Sequence, residues 1–164
     1  MKRKLHPYKC NNFILRLLER KDIDFVLSWR NHQSHRIWFK NSSVISKKEH
    51  YTWFQMYLQN ENDFIFLVTD ADEIKYGQVS IYNAQWLNHE AEFGRVLANP
   101  MYENQGFMKK ACKITLSLAK EILNLKRLTL QVKYNNYKAI YIYQQCGFVV
   151  SKLNGDMVNM EIYL

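Results

Sequence analysis

Strand-like and helix-like patterns alternate along the second half of the chain, and this alternation limits the possible folds more than any other feature. From residue 108 to 122 apolar residues recur at helical spacing while lysines occupy the opposite side, which predicts a long amphipathic helix. Strand-like runs lie before this helix, at 91–98, and after it, at 128–132. The pattern therefore indicates a sheet that is covered by helices.

Further strands are predicted at 13–18, 64–69 and 77–83, and a final pair at 148–153 and 158–164 forms a probable hairpin. The order of elements is one strand, two helices, three strands, helix, strand, helix and two strands. This order predicts an α/β (α+β) fold, in which about four helices flank a mixed central sheet of about seven strands.

Local signals mark where the other helices begin and end. A helix is predicted over 21–31, and a capping box of Ser46 and Glu49 starts the next one. Asn136 can cap a short helix that Gly147 ends in a left-handed conformation. The inward positions of the helix after Ser46 are expected to be His50, Trp53, Phe54, Tyr57 and Leu58.

Length and composition set the class of protein. The 164 residues, 48% of them hydrophobic, predict one domain spanning residues 1–164. No apolar run approaches the roughly 20 residues that span a bilayer, and the basic N-terminus lacks the features of a signal peptide. Cys10, Cys112 and Cys146 are odd in number and scattered, which fits reduced thiols and no metal site. We therefore expect a cytoplasmic protein that does not bind a membrane.

The formal net charge of +8 favours anionic partners, such as nucleic acid, a membrane surface or a phosphorylated small molecule. Lysines and arginines are spread along the chain, so a solvated basic surface is the simplest interpretation. One local feature is more suggestive. The segment "NPMYENQGFMKK" joins a strand to a helix start, where free amides and the helix dipole can bind an anion. An ordinary strand-to-helix turn remains the alternative.

The whole arrangement resembles the GNAT N-acetyltransferase superfamily. A strand ending before proline, a glycine turn, an amphipathic helix and a further strand precede a specific motif, "N-x-K-A-I-x-I-Y-x-x-x-G-F". The matching residues are Asn136, Lys138, Ala139, Tyr143, Gly147 and Phe148. The resemblance implies a sheet splayed in the middle and acetyl-CoA as co-substrate, with no metal. The turn departs from the family pattern: Glu103 would bring negative charge near a pyrophosphate, and Met108 would narrow the backbone approach.

The resemblance also assigns residues to the donor site and to catalysis. Tyr143 is expected to be the general acid that protonates the departing thiolate, with packing as the alternative role. Glu92 is the candidate base, with an exposed strand-edge carboxylate as the alternative. The donor-binding residues would be Val96, Leu97 and Ala98 for the pantetheine arm, Asn104, Gln105, Gly106, Phe107, Met108 and Lys109 for the pyrophosphate, and Asn136 and Lys138 on the other side.

The first helices carry a pattern, "WRN…W…I…H…F", that resembles one GNAT branch, the sugar-nucleotide N-acetyltransferases of pseudaminic acid synthesis. This resemblance implies acetylation of the 4-amino group of a UDP-linked amino sugar. Aromatic rings can stack on a base or sugar, and arginine binds phosphate. The acceptor residues would be Trp29, Arg30, Asn31, Trp38, His50 and Phe54.

Two other functions stay open at this point. One is a protein or peptide N-acetyltransferase of the same superfamily. The other is a basic nucleic-acid-binding module without catalysis, although the chain has no recognised binding motif. We expect small-molecule substrates, no nucleic acid, and a monomer or homodimer.

Overall fold

A mixed sheet of eight strands forms the centre of the protein, in a computed structural model that describes residues 4–164. The strands lie side by side in the order β1-β2-β3-β4-β5-β6-β8-β7, and only β5 and β6 are parallel neighbours. Their bounds are β1 Tyr8–Cys10, β2 Phe13–Leu17, β3 Phe64–Thr69, β4 Lys75–Gln85, β5 Glu90–Ala98, β6 Arg127–Lys133, β7 Val149–Asn154 and β8 Met157–Tyr163.

Five α-helices and two 3₁₀ turns connect the strands. The helices are α1 Ile23–Asn31, α2 Gln33–Arg36, α3 Lys47–Gln59, α4 Phe107–Glu121 and α5 Tyr137–Gln145, and the 3₁₀ turns are Arg20–Asp22 and Pro100–Tyr102. None of the helices in residues 4–164 combines the length and apolar character needed to cross a lipid bilayer.

Helices cover both faces of the sheet. In β3, Phe64, Phe66 and Val68 pack with the large cluster that includes α4, whereas Ile65 and Leu67 pack with the cluster formed by α1 and α3. All six residues of β3 are buried, because alternate side chains meet a helical layer on each side. The predicted helix-covered mixed sheet is therefore confirmed.

The local signals in the sequence act as expected at several points. The Ser46 hydroxyl accepts a hydrogen bond from the Glu49 amide, and the Glu49 carboxylate accepts one from the Ser46 amide, so the capping box is formed. Asn136 caps α5, and Gly147 follows that helix with φ +100°. The predicted inward face of α3 is partly wrong, because Leu58 is exposed in the last turn of this helix.

The sequence patterns did not predict two short elements, strand β1 and helix α2. Strand β1 has only three residues and exists through its pairing with β2. Helix α2 forms one turn inside the predicted loop 32–44. Neither segment is long enough for a hydrophobic period to develop.

A β-bulge in β5 opens the middle of the sheet. Ser80 pairs with Gly94 but Gln78 pairs with Leu97, so β5 carries one extra residue between these positions. Arg95 takes φ +48° there, and its guanidinium donates to both carboxylate oxygens of Asp63 at 2.9 and 2.8 Å. This ion pair holds the left-handed backbone that the bulge requires.

The bulge coincides with the separation of β5 from β6. These parallel strands pair at only three positions, the last of which joins Glu92 to Thr129. Beyond that pair the edge of β5 over residues 94–98 has no strand neighbour on the β6 side. The sheet is therefore splayed where the resemblance to the acetyltransferases placed the opening.

Gly77 sets how closely three elements meet beside this opening. A Cβ atom at this position would lie 2.3 Å from the Leu97 carbonyl oxygen and 2.6 Å from the sulfur of Met108. Only glycine lets β4, the end of β5 and the start of α4 approach to this distance.

We expect Gly77→Ala to lower the free energy of unfolding by about 1–3 kcal/mol or more, because the backbone of β5 must move to admit the methyl group. Gly155→Asn is a suitable control, since its turn conformation tolerates asparagine and open space surrounds the position. Chemical denaturation of both variants measures the difference. Equal stability of Gly77→Ala and wild type would contradict the packing argument.

Candidate functional site

A cleft of about 1490 Å³ lies where β5 and β6 separate. Its walls come from β5, β6, the turn before α4, helix α5 and residues 34–41, with further residues from β4, β7 and β8. The sheet opening thus continues into a cavity large enough for two ligands to meet.

The turn before α4 presents an unusually open set of backbone amides. Asn104 and Gly106 adopt left-handed φ values of +62° and +79°, which direct successive N–H groups toward one side. Among the described residues, no group accepts a hydrogen bond from the amides of residues 106–109. Such a turn at a helix N-terminus fits a phosphate group.

Lys138 joins this turn to α5. Its ammonium group donates to the Asn104 side-chain oxygen at 2.7 Å. The ammonium charge of Lys138 therefore lies beside the free amides. The contact also holds the N-terminal turn of α5 against the turn before α4. Asn136, which caps α5, also lines the cleft.

The exposed edge of β5 forms the opposite wall. Val96, Leu97 and Ala98 line the cleft, and their outer backbone groups face the gap left by β6. An extended ligand arm can pair with such an edge as an added strand would.

Tyr143 reaches the cleft from α5 and is 8% exposed. Its ring packs edge-on against Phe93 and Phe148 at centroid distances of 6.1 and 6.0 Å. Burial raises the pKa of Tyr143 above its usual value, and the thiol of Cys112 adds to the increase. The hydroxyl has no hydrogen-bond partner within residues 4–164, so the protonated phenol is available to a ligand in the cleft.

Glu92 lies at the last paired position of β5 before the strands separate. Its carboxylate accepts a hydrogen bond from the Asn83 amide group at 2.8 Å. The neighbouring Tyr82 is half-buried, and desolvation together with the charge of Glu92 raises the pKa of Tyr82 to about 12. Glu92 is thus a half-buried carboxylate at the inner end of the cleft.

Arg30 is the most constrained cation on the α1 side of the cleft. It is only 8% exposed, its Nη2 atom donates to the Asn41 carbonyl, and its Cζ atom lies 4.4 Å from the ring centroid of Phe39. Its Nη1 atom is buried and has no partner among the described residues. Burial, with the charge of Arg36, lowers the pKa of Arg30, although an arginine remains charged.

A buried guanidinium with one unpaired edge costs free energy unless an anion or another acceptor binds it. No carboxylate of residues 4–164 forms an ion pair with Arg30. Arg30 is therefore a cation in the cleft lining whose charge has no acidic partner within the described residues.

The lining of the cleft as a whole is cationic. Its only carboxylates within the described chain are Glu92 and Glu103, and each already accepts a hydrogen bond. The lysines and arginines in the lining are Arg30, Lys40, Arg95, Lys109, Arg127, Lys133 and Lys138. Arg95 and Arg127 are neutralised by Asp63, Glu90 and Glu161, which leaves five cations without a carboxylate partner.

Most of the residues expected at the donor side line this cleft together with Tyr143 and Glu92. The exception is Gln105, which is exposed and donates to the Met101 carbonyl at 3.3 Å. The residues that do line it are Val96, Leu97, Ala98, Asn104, Gly106, Phe107, Met108, Lys109, Asn136 and Lys138.

The residues expected at the acceptor side divide into two groups. Arg30 and Trp38 line the cleft. Trp29 and Phe54 are buried in the core between α1, α3 and the sheet. Asn31 exchanges two hydrogen bonds with the backbone of Ile45, at 2.8 and 2.9 Å.

His50 also lies outside the cleft lining. It is buried on α3, where its ring stacks on Trp53 at 4.9 Å. Burial lowers the pKa of His50, which keeps the imidazole neutral at neutral pH, and its Nε2 atom has no described partner.

Sequence reasoning missed several residues of the cleft, including Arg95, Tyr82, Phe39 and His35. Gly94 inside a strand pattern is a known sign of a bulge and could have drawn attention to Arg95. For His35 the sequence offers no signal, because its partner Glu103 is 68 positions away. Within residues 4–164, no cluster of three or more histidine, cysteine or acidic side chains could hold a metal ion.

The chain is similar in sequence to known acetyltransferases. The profile of the acetyltransferase (GNAT) domain matches residues 12–149. The spermidine N(1)-acetyltransferase of Vibrio cholerae serotype O1 is 28% identical over 135 residues, which are 82% of this chain and 78% of that protein. The spermidine N(1)-acetyltransferase of Escherichia coli K12 is 30% identical over 139 residues, 83% of this chain and 72% of that protein.

Solved structures give the same result. The spermidine N-acetyltransferase of V. cholerae, in complex with CoA and spermine, has a TM-score of 0.85 and 26% identity, covering 94% of this chain and 96% of that one. A dodecameric structure of the V. cholerae enzyme has a TM-score of 0.77 and 27% identity, covering 94% and 95%. For this chain, a monomer or homodimer stays a prediction from the sequence.

Proposed function

The chain belongs to the GNAT acetyltransferase family and is an acetyl-CoA-dependent N-acetyltransferase; from this premise we propose that its acceptor is a UDP-linked amino-deoxy sugar. The amine acetylated would be the 4-amino group, as in pseudaminic acid synthesis. The observation that carries the proposal is the Arg30 guanidinium, which lines the cleft and has no carboxylate partner among residues 4–164. A diphosphate supplies the anionic partner that this cation lacks.

The charge of the acceptor side supports the same choice. Arg30, Lys40 and Lys133 line this part of the cleft without a carboxylate partner in the described chain. Trp38 and Phe39 offer aromatic surface next to Arg30, which suits a base or a sugar. A nucleotide sugar matches both features.

Polyamine acetylation is the second candidate, because the relatives from V. cholerae and E. coli are spermidine acetyltransferases. A polyamine is a chain of cations and needs carboxylates or carbonyl groups around it. Glu92 and Glu103 are the only acidic side chains of the described lining, which also contains five lysines and arginines without a carboxylate partner. The electrostatics of this cleft therefore favour an anionic acceptor over spermidine.

The residues of the cleft fit acetyl-CoA on the other side. The free amides of residues 104–108, with Lys109 and Lys138, would hold the pyrophosphate, and the edge formed by Val96, Leu97 and Ala98 would pair with the pantetheine arm. Asn136 would contact the arm from α5. When bound there, acetyl-CoA supplies an activated acetyl thioester.

Two side chains would move the protons. Tyr143 keeps its proton on Oη at neutral pH, because burial raises its pKa, and would donate it to the departing sulfur. Glu92 would accept a proton from the attacking amine, directly or through water, so that the nitrogen lone pair is free. Asn83 holds the Glu92 carboxylate in place.

An acceptor panel tests the proposed function. Purified protein with acetyl-CoA is offered a UDP-4-amino sugar, spermidine and a peptide with a free N-terminus, and released CoA thiol is measured. We expect the highest kcat/KM for the nucleotide sugar. If spermidine is acetylated and the nucleotide sugar is not, the polyamine candidate is correct. Acetylation of the peptide alone would show that the protein is a peptide N-acetyltransferase.

Replacement of the proposed acid should separate chemistry from binding. We expect Tyr143→Phe to lower kcat by about 10²–10⁴-fold, because the departing sulfur loses its proton donor. The dissociation constant of acetyl-CoA, measured by calorimetry, should stay near the wild-type value. Tyr137→Phe is the matched control, since Tyr137 is exposed on the same helix and lies outside the cleft lining. An unchanged kcat in Tyr143→Phe would show that Tyr143 contributes to packing and not to catalysis.

Replacement of the proposed phosphate ligand should affect one substrate only. We expect Arg30→Ala to raise the KM for the UDP-amino sugar by about ten- to a hundredfold, the usual worth of a charge-assisted hydrogen bond, and to leave the KM for acetyl-CoA unchanged. The effect should be weaker for an amino sugar without the nucleotide. Arg20→Ala, an exposed arginine far from the cleft, is the control. Equal damage to both substrates would show that Arg30 is structural.

A further inference from the structure

A contact between α2 and the turn before α4 joins the two ligand-binding halves of the cleft. The imidazole of His35, in α2, contacts the Glu103 carboxylate, which precedes the pyrophosphate turn. We propose that Glu103 is a positioning residue for the acceptor side and that it acts through His35. The acceptor segment, defined here as residues 32–45, would be held over the cleft by a residue of the donor turn.

The geometry of His35 makes it a bridge between the two sides. Its Nε2 atom meets Glu103, and its Nδ1 atom lies 2.8 Å from the Trp29 carbonyl oxygen. Both partners present oxygen atoms to the ring, so each of the two ring nitrogens has a hydrogen-bond partner.

The other contacts of the acceptor segment are mostly local. Arg36 donates to the Ser42 carbonyl at 2.9 Å, and Arg30 and Asn31 bind the backbone at its far end. Within the described chain, two polar contacts join the segment to cleft residues that are far away in the sequence. One is Lys133 Nζ donating to the Ile37 carbonyl at 3.0 Å, and the other is the His35–Glu103 pair.

The two crossing contacts differ in strength. The lysine contact is exposed, whereas the side chains of His35 and Glu103 are only 11% and 23% exposed. A charged pair that is shielded from water keeps more of its interaction energy than an exposed one. Loss of the His35–Glu103 pair should therefore loosen residues 32–45 more than loss of any other single crossing contact.

This role accounts for the departure of the turn from the family pattern. An acidic residue at position 103 would repel a pyrophosphate if its charge were free. Here one oxygen of the carboxylate already contacts the imidazole of His35. Glu103 can therefore hold the acceptor segment, while the amides of residues 104–108 stay available to the donor phosphate.

The inference rests on the proposed function only where it describes residues 32–45 as the acceptor wall. Hydrogen–deuterium exchange with bound CoA and no acceptor tests the link separately. We expect amides of residues 32–45 to exchange about tenfold or more faster in Glu103→Gln and in His35→Ala than in the wild type. Gln33→Ala, exposed on the same helix, and Glu121→Gln, at the far end of α4, should exchange like the wild type.

Steady-state kinetics with the UDP-amino sugar provide the second arm. Glu103→Gln and His35→Ala should each raise the acceptor KM by about tenfold, and the double variant should be no worse than either single one, because the pair is already broken. Glu103→Gln keeps the shape of the side chain, so its result stands even if His35→Ala folds poorly.

Four outcomes decide the proposal. Wild-type exchange of residues 32–45 in Glu103→Gln would overturn it, and so would additive effects in the double variant. Tighter CoA binding in Glu103→Gln, with exchange and acceptor KM unchanged, would also overturn it, because Glu103 would then act on the donor phosphate. Faster exchange in both variants, in a protein whose wild type does not acetylate the nucleotide sugar, would support the link and refute the proposed function.

Discussion

The bulge at Arg95 is the constraint on which the rest of the structure depends. A regular β5 would continue to pair with β6 beyond Glu92 and would close the cleft. The extra residue turns the strand instead, and the left-handed backbone of Arg95 is held by two hydrogen bonds to Asp63 and by stacking over Tyr82 at 4.1 Å. The opening is thus built into the sheet, and both ligand-binding walls take their position from it.

Uneven distribution of charge gives this opening its chemical character. Acidic partners neutralise Arg95 and Arg127, whose roles in the sheet are structural. Arg30 and Lys133 receive only backbone carbonyls as partners, which satisfy hydrogen bonds but leave the charge uncompensated. The fold therefore keeps positive potential at the acceptor side. The proposal of an anionic acceptor rests on this feature.

Sequence patterns predicted the parts of this architecture that depend on near neighbours. The capping box at Ser46, the left-handed end at Gly147 and the face of α4 follow from residues a few positions apart. The choice between Trp29 and Arg30 does not, because both are buried and only the three-dimensional packing decides which one lines the cleft. His50 shows the same limit, since a histidine on an apolar helix face can serve the core as well as a site.

Contacts between distant residues explain the remaining difference between pattern and structure. Judged by the turn alone, Glu103 is an unfavourable residue for a phosphate site. The effect of Glu103 on the cleft depends on its contact with His35. His35 reaches Glu103 because α2 forms a single helical turn, inside a segment that has no hydrophobic period. A substitution that weakens one ligand site in isolation can therefore strengthen the connection between two sites. For that reason the donor and acceptor halves of this cleft must be interpreted together.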